Sequence, residues 1–383
     1  MLAITYNRVE DVAKPDWGVP GWAAPAVSAR GADTDGGRSL MEFKKHSLVK
    51  LQMPYPLGVV MRNGKRCVVG ATEDHGPIVL AQPPFDEAVE MVPGPGGCMA
   101  LVADSEKPDT LFAIMGCFVG YKFQTAGVYR ISPDQEGAAE KIIELPFAHR
   151  IDFVNRGGAR FLIAATLAAD KRDLGDWSRP GTLYASHVPR SPGEGWELTP
   201  VLEGIHRNHG LLTARLMGRR SVLISGAEGL FAADLDSGGD DWGFQQVLGQ
   251  EVSEIAVSDI DGDGADELIT IEPFHGNSLR VYKRAGSKWQ LAWETGLEYG
   301  HCLLAGMLKG VRSILVSNRA GNRDLLLFEF TGPPGGRGIA DPKRHVVDPG
   351  AGAANMLVVS HDGTDRIFST NQTAGEIVSY TPF

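Results

Sequence analysis

No stretch of this chain approaches the ~18 consecutive apolar residues of a membrane span. The N-terminus also lacks a basic region followed by an apolar one. Neither a membrane helix nor a secretory signal is read, so the compartment is left as cytoplasmic or unknown. There is no basic tract and no interleaving of basic with aromatic residues, and the net charge is -10; nucleic acid is not an expected partner. Cysteine is scarce. Cys67, Cys98, Cys117 and Cys302 have no metal-ligand spacing and read as free core thiols. Cysteine-nucleophile, Ser-His-Asp and phosphate-cradling glycine motifs are likewise missing. The sequence is silent on oligomeric state.

What the chain has in quantity is glycine, 48 residues, and proline, 23, against 43% hydrophobic residues over 383 positions. That balance suits many short strands joined by tight turns. The most specific segment is Asp259, Asp261 and Asp263 followed by Gly264, then Glu267, set between the apolar runs 252–257 and 268–271. Alternating carboxylates with a glycine turn suit a hard, oxygen-loving cation, and the Ala265 carbonyl can join them. Position twelve is Thr270 where an EF-hand needs glutamate, and the flanks read as strands. A structural calcium ion in a strand-to-strand hairpin is therefore expected.

A weak internal repeat, roughly 40–60 residues long, points to propeller blades. Innermost strands are expected to begin near Tyr55, Cys98, His149, His209, Ser253, His301 and Asn355, each followed by a second and a third strand. The last unit ends after its third strand at Pro382-Phe383. Residues 43–51 alternate like a strand and could complete it, closing the ring without a free edge. The expected fold is all-β, a seven-bladed propeller of four-stranded antiparallel blades over residues 42–383. Residues 1–41, rich in Pro, Gly and Ala around Trp17 and Trp22, read as a disordered or extended leader, or as a segment upstream of a true start at Met41.

Aligning the strand heads puts His149, His209 and His301 at one position, with Tyr55, Ser253 and Asn355 as their counterparts. All heads open on one face beside the axis, together with the second-to-third-strand loops. Those loops bring His75, Tyr121, Lys122, Arg179, His275, Arg319 and Arg323 to the same funnel, where acid, base and anion-binding groups could assemble. The acidic loop joins first to second strands and so belongs to the opposite face.

These features together resemble a VCBS/FG-GAP seven-bladed propeller. The histidine-headed strands, the loop from Pro273 through His275 to Asn277, and the run from Gly350 to Asn355 are similar to the propeller domains of aldos-2-ulose dehydratases and rhamnose–glucuronate lyases. The cupin domains of the dehydratases are absent. The resemblance implies a carbohydrate substrate and β-elimination at the funnel. Histidine suits the base, Arg or Lys the developing enolate, and a second His or Tyr55 the leaving oxygen. His149 and His209 are the expected acid–base pair. His301, His75 and His275 would orient the sugar or hold a metal, and Arg319 or Arg323 would pair with a uronate carboxylate. Tyr121, Lys122, Arg179 and Asn355 are further substrate contacts. Two alternatives stay open: a non-catalytic module binding a glycan or protein, and a metal-dependent hydrolase whose funnel histidines ligate a second divalent ion such as zinc or manganese.

Overall fold

Apolar residues alternate through short segments separated by Asn-Gly, Asp-Gly and Gly-Gly turns, a pattern that pairs neighbours as antiparallel hairpins. The computed structural model describes residues 41–383 except 121, 133–136, 192–193, 240 and 332–338. The leader 1–41 thus lies outside the described residues, Met41 aside. The strands form seven four-stranded antiparallel sheets, and no helix occurs among the described residues.

From the axis outward, blade 1 runs Pro54–Arg62, Lys65–Thr72, Ile78–Ala81 and Ala88–Val92. Blade 2 runs Ala100–Ala103, Leu111–Met115, Gly127–Ile131 and Glu140–Glu144, and blade 3 Ala148–Arg156, Ala159–Thr166, Gly181–His187 and Thr199–Ile205. Blade 4 comprises Gly210–Leu216, Arg219–Gly226, Gly229–Asp234 and Gln245–Leu248. Blade 5 comprises Glu254–Ser258, Glu267–Glu272, Ser278–Ala285 and Lys288–Gly296. Blade 6 follows as Gly300–Leu308, Val311–Asn318, Leu325–Phe330 and Lys343–Asp348. Blade 7 takes Ala353–His361, Thr364–Asn371 and Glu376–Pro382 from the C-terminus and Phe43–Lys50 as its outer strand. The expected closure is therefore present: Phe43 pairs with Pro382 and Lys50 with Glu376.

The core lies between blades, where the second strands are buried on both faces. Leu162, Ile163 and Ala164 are fully buried in blade 3, and Leu268, Ile269 and Ile271 in blade 5. All four cysteines are free and buried, as their apolar setting leads one to expect. No helix of the described residues is long and apolar enough to cross a membrane.

The repeat has a backbone device that spacing did not show. Met53, Phe147, Arg207 and Tyr299 each stand two residues before a strand head and adopt left-handed φ of 48°, 60°, 52° and 61°. Such angles are uncommon outside glycine. Their recurrence marks a shared turn that brings each chain back to the axis, and in blades 4 and 6 it aims Arg207 and Tyr299 at the histidine end.

Candidate active site

The strand heads converge as their alignment implies. Ring centroids of His149 and His209 are 4.7 Å apart, those of His209 and His301 5.5 Å, and those of His275 with His209 and His301 5.0 and 4.9 Å. His149, His209 and His301 are almost wholly buried, whereas His275 is partly exposed. The sequence placed these rings around an open funnel; the structure fills it. The long loop of blade 3 turns inward so that Trp177 meets Phe274 edge to face at 5.1 Å, and Phe274 in turn packs on His209 and His275. The Lys171 ammonium lies 3.2 Å over the Trp177 ring, a cation–π contact, and burial lowers its pKa to about 8.

Beneath the rings sits an ion pair that the sequence reading missed. Arg150, one residue after the His149 head, donates from Nη2 to Glu254 Oε1 at 2.7 Å and from Nε to the His209 carbonyl at 2.9 Å. Both side chains are buried. Glu254 Oε1 is also 2.7 Å from His209 Nδ1, although the ring nitrogen is not aligned for a hydrogen bond. Burial outweighs the attraction of Arg150 and raises the Glu254 carboxyl to about 8. Below the pair the axis widens into a cavity of about 260 Å³ lined by Arg66, Asp104, Arg150, Asp152 and Thr213, toward the opposite face.

Burial pushes all four imidazoles well below their ordinary pKa of 6.5, helped by the positive charge of Arg150 at His149 and His209, and of Arg319 at His275 and His301. They are neutral bases or ligands at physiological pH. His275 Nε2 lies 3.4 Å from His209 Nε2, and its Nδ1 is 2.8 Å from the hydroxyl of Tyr299. Tyr299 is 42% exposed, so a hydrogen-bonded line runs from solvent into the chamber. Its only sequence signal is its place two residues before His301.

Arg319 is buried beside this group. Its Nη2 donates to Gln372 Oε1 at 2.7 Å, and Gln372 passes the contact to Glu73 at 3.0 Å. Nε and Nη1 of Arg319 have no partner. Burial lowers the guanidinium to about 10, so it stays charged. Asn355 is fully buried with both side-chain atoms unpartnered. Tyr55 is fully buried in the core with Phe147 and Ala354. His75 stacks on Phe118 at 4.2 Å; Lys122 and Arg179 are exposed, Arg323 half-buried, and Tyr121 lies outside the described residues.

The acidic loop lies on the opposite face, between the first two strands of blade 5. Asp259, Asp261 and Glu267 each bring an oxygen within 4.8 Å of the others, a set able to hold a metal ion. Two of these carboxylates, Asp261 and Glu267, already face a cation. Lys283, from the third strand, bonds Asp261 and Asp263 and lies 3.3 Å from Glu267. Burial opposes the charge on Lys283, but these bonds raise its pKa. Asp263 accepts the Ala265 amide at 2.8 Å. The donor set thus fits a hard ion, with Lys283 as its internal competitor.

Comparison with known proteins agrees on fold alone. No protein-family model and no curated protein matches the chain. Among solved structures it is similar to BBS1N in complex with ARL6DN, at 10% identity over 90% of this chain and 97% of that one, TM-score 0.52. An ancestral GH74 enzyme matches at 11% identity over 88% of this chain, TM-score 0.56. The β-propeller domain of Cps50 (Swd1) from Myceliophteria thermophila matches at 10% over 88% of this chain and 99% of that one, TM-score 0.52. The match spans only 46% of the GH74 enzyme. The class defined is the seven-bladed β-propeller, and no family within it is assigned.

Proposed function

We propose that the chain is a carbon–oxygen lyase acting on an acidic sugar, at the end of the axis where His275 and Tyr299 reach solvent. The observation that carries this reading is the solvent-facing Tyr299–His275 pair, 2.8 Å apart, backed by three further imidazoles. In β-elimination the C–H bond next to a carboxylate breaks, its proton passing to a neutral imidazole. The electron pair forms the new C=C bond, the C–O bond breaks, and the leaving oxygen takes the phenolic proton of Tyr299. The two unpartnered nitrogens of Arg319 suit the substrate carboxylate, whose negative charge grows in the transition state. Calcium in the acidic loop would serve stability on the far face.

Crowding of the histidines favours catalysis over the binding-module reading. A glycosidase needs a carboxyl pair flanking the scissile bond. Glu254 beside His209 and Glu73 beneath Gln372 are both buried and both engaged. The test is a panel of uronate-terminated oligosaccharides and keto-sugars assayed for the ultraviolet absorbance of an unsaturated product. Tyr299→Phe and His275→Ala should each lower turnover ~100- to 10,000-fold with the circular dichroism unchanged. Absence of unsaturated product across the panel would reject the lyase and favour the binding module.

A further inference from the structure

We infer that His209, His275 and His301 form a mononuclear site for a divalent transition metal of the zinc class. The inference names a cofactor for the histidine chamber and does not depend on the reaction proposed above. The observations that support it involve all three rings.

His209 and His275 face each other through Nε2 at 3.4 Å. A tetrahedral ion bound by imidazoles at about 2.0–2.1 Å sets its ligand nitrogens about 3.3–3.4 Å apart. The observed separation is that of two ligands on one ion, and it is long for a hydrogen bond between two ring nitrogens. His301 supplies the third ligand. Its ring is fully buried and neither nitrogen has a partner, an arrangement that costs free energy unless something unseen satisfies it. One nitrogen from each of the three rings lies within 4.8 Å of the others, so small rotations would close the set.

The outer contacts are those of a metal site. Metal-bound histidines usually give their other nitrogen to a carboxylate or hydroxyl, which fixes the ring. Tyr299 fills that place on His275 Nδ1 at 2.8 Å, and Glu254 stands 2.7 Å from His209 Nδ1, where a small turn of the ring would align the two. In both rings Nε2 is thereby left for the ion.

The backbone is shaped to deliver the exposed ligand. His275 has a left-handed φ of 47°, tolerated by few residues with a side chain. Gly276 follows where an added Cβ would come within 2.1 Å of the Glu272 backbone. Only glycine lets the loop fold back so tightly, and that fold turns His275 toward the axis.

Ligand type sets the metal class. Neutral imidazole suits zinc, cobalt, nickel and iron, whereas calcium and magnesium prefer oxygen. The chamber and the acidic loop would therefore select different ions on opposite faces. Three protein ligands leave a tetrahedral ion one position for water or substrate, as in catalytic sites.

The full chain, freed of metal by chelator and dialysis, is titrated with Co²⁺ and Zn²⁺ and followed by calorimetry and by the visible spectrum of cobalt. One ion per chain is expected, with the intense bands of four- or five-coordinate cobalt. His301→Ala and His275→Phe should each weaken binding by more than about 100-fold, and Glu254→Gln by about 10- to 100-fold. His275 is partly exposed, so its variant keeps the test alive if His301→Ala fails to fold. Asp261→Asn should leave cobalt binding unchanged. The inference is overturned if no saturable binding occurs. It is equally overturned if His275→Phe binds like the parent, or if binding is lost in Asp261→Asn.

Discussion

Acidifying the metal-free protein from pH 6.5 to 5.5 should destabilise it through its buried histidines. His149, His209 and His301 are 2%, 1% and 0% exposed, and burial holds each imidazole well below 6.5. The groups facing them, Arg150, Arg319 and His275, repel an added proton; Glu254 is the acid in contact. In the unfolded chain each ring takes up a proton near pH 6.5, and in the folded chain it does not. The unfolded state thus binds more protons, and stability falls as pH falls through the unfolded pKa. Across that one pH unit each buried ring costs about 1 kcal/mol, so the three cost about 3 kcal/mol together, and the partly exposed His275, lowered as well, adds a smaller share.

Glu254 works in the other direction. Its carboxyl is raised from 4.5 to about 8, so between those values the folded state holds a proton that the unfolded state lacks. That contribution is fully present below the unfolded pKa and is lost as pH rises toward 8; over the same interval it gains about 1 kcal/mol on acidification. The histidines win by about 2 kcal/mol, which corresponds to a fall in Tm of a few degrees. Urea unfolding and calorimetry at pH 6.5, 6.0 and 5.5 measure it. In Glu254→Gln the opposing contribution is gone, and the loss should steepen toward about 3 kcal/mol. A Tm that is flat or rising on acidification would refute the picture of a neutral, dry histidine chamber.

Replacing Arg150 with Met should cost about 1–3 kcal/mol near neutral pH, because it strips the buried Glu254 carboxyl and the His209 carbonyl of their guanidinium donor. Arg150→Met combined with Glu254→Leu should recover most of that in the same denaturation assay. Lys283→Met removes the internal cation from Asp261, Asp263 and Glu267. Its Tm should fall in chelator and recover with millimolar calcium, to a larger extent than the parent's rises; equal responses would mean that lysine and calcium do not compete. Truncation through Lys50 strips the outer strand of blade 7 and should yield oligomers by light scattering. A peptide spanning residues 41–51 should suppress them by adding back as a strand.

Period and closure were legible because a blade is a local object. Hairpin turns, alternating strands and the missing fourth strand of the last unit are all written within 60 residues or at the chain's ends. The histidine column was legible for the same reason, since strand heads align wherever blades repeat. What stayed hidden depends on neighbours across blades. Arg150 and Glu254 look like ordinary strand residues until blades 3 and 5 meet at the axis. Lys283 lies on the third strand, outside the acidic motif whose charge it meets. Trp177 sits in a loop whose length could be read but whose inward turn could not. Tyr299 and Arg207 were obscured by a left-handed turn that side chains other than glycine seldom adopt. The trio that could hold a metal takes its third member from a loop, His275, and not from the strand head His149.

The pairing of residues 43–50 with the last C-terminal strand sets a clock on synthesis. Phe43 leaves the ribosome roughly 340 residues before its partner Pro382, an interval on the order of 20–70 s at ordinary elongation rates. Through that time the early strand has no sheet to join, while the blades after it can form in order. Its composition suits the wait. Lys44, Lys45, His46 and Ser47 are exposed even in the finished ring, and Leu48 is its one fully buried side chain. A strand this polar can remain hydrated beside a growing ribosomal product without sticking to it, and it commits only when the final blade arrives.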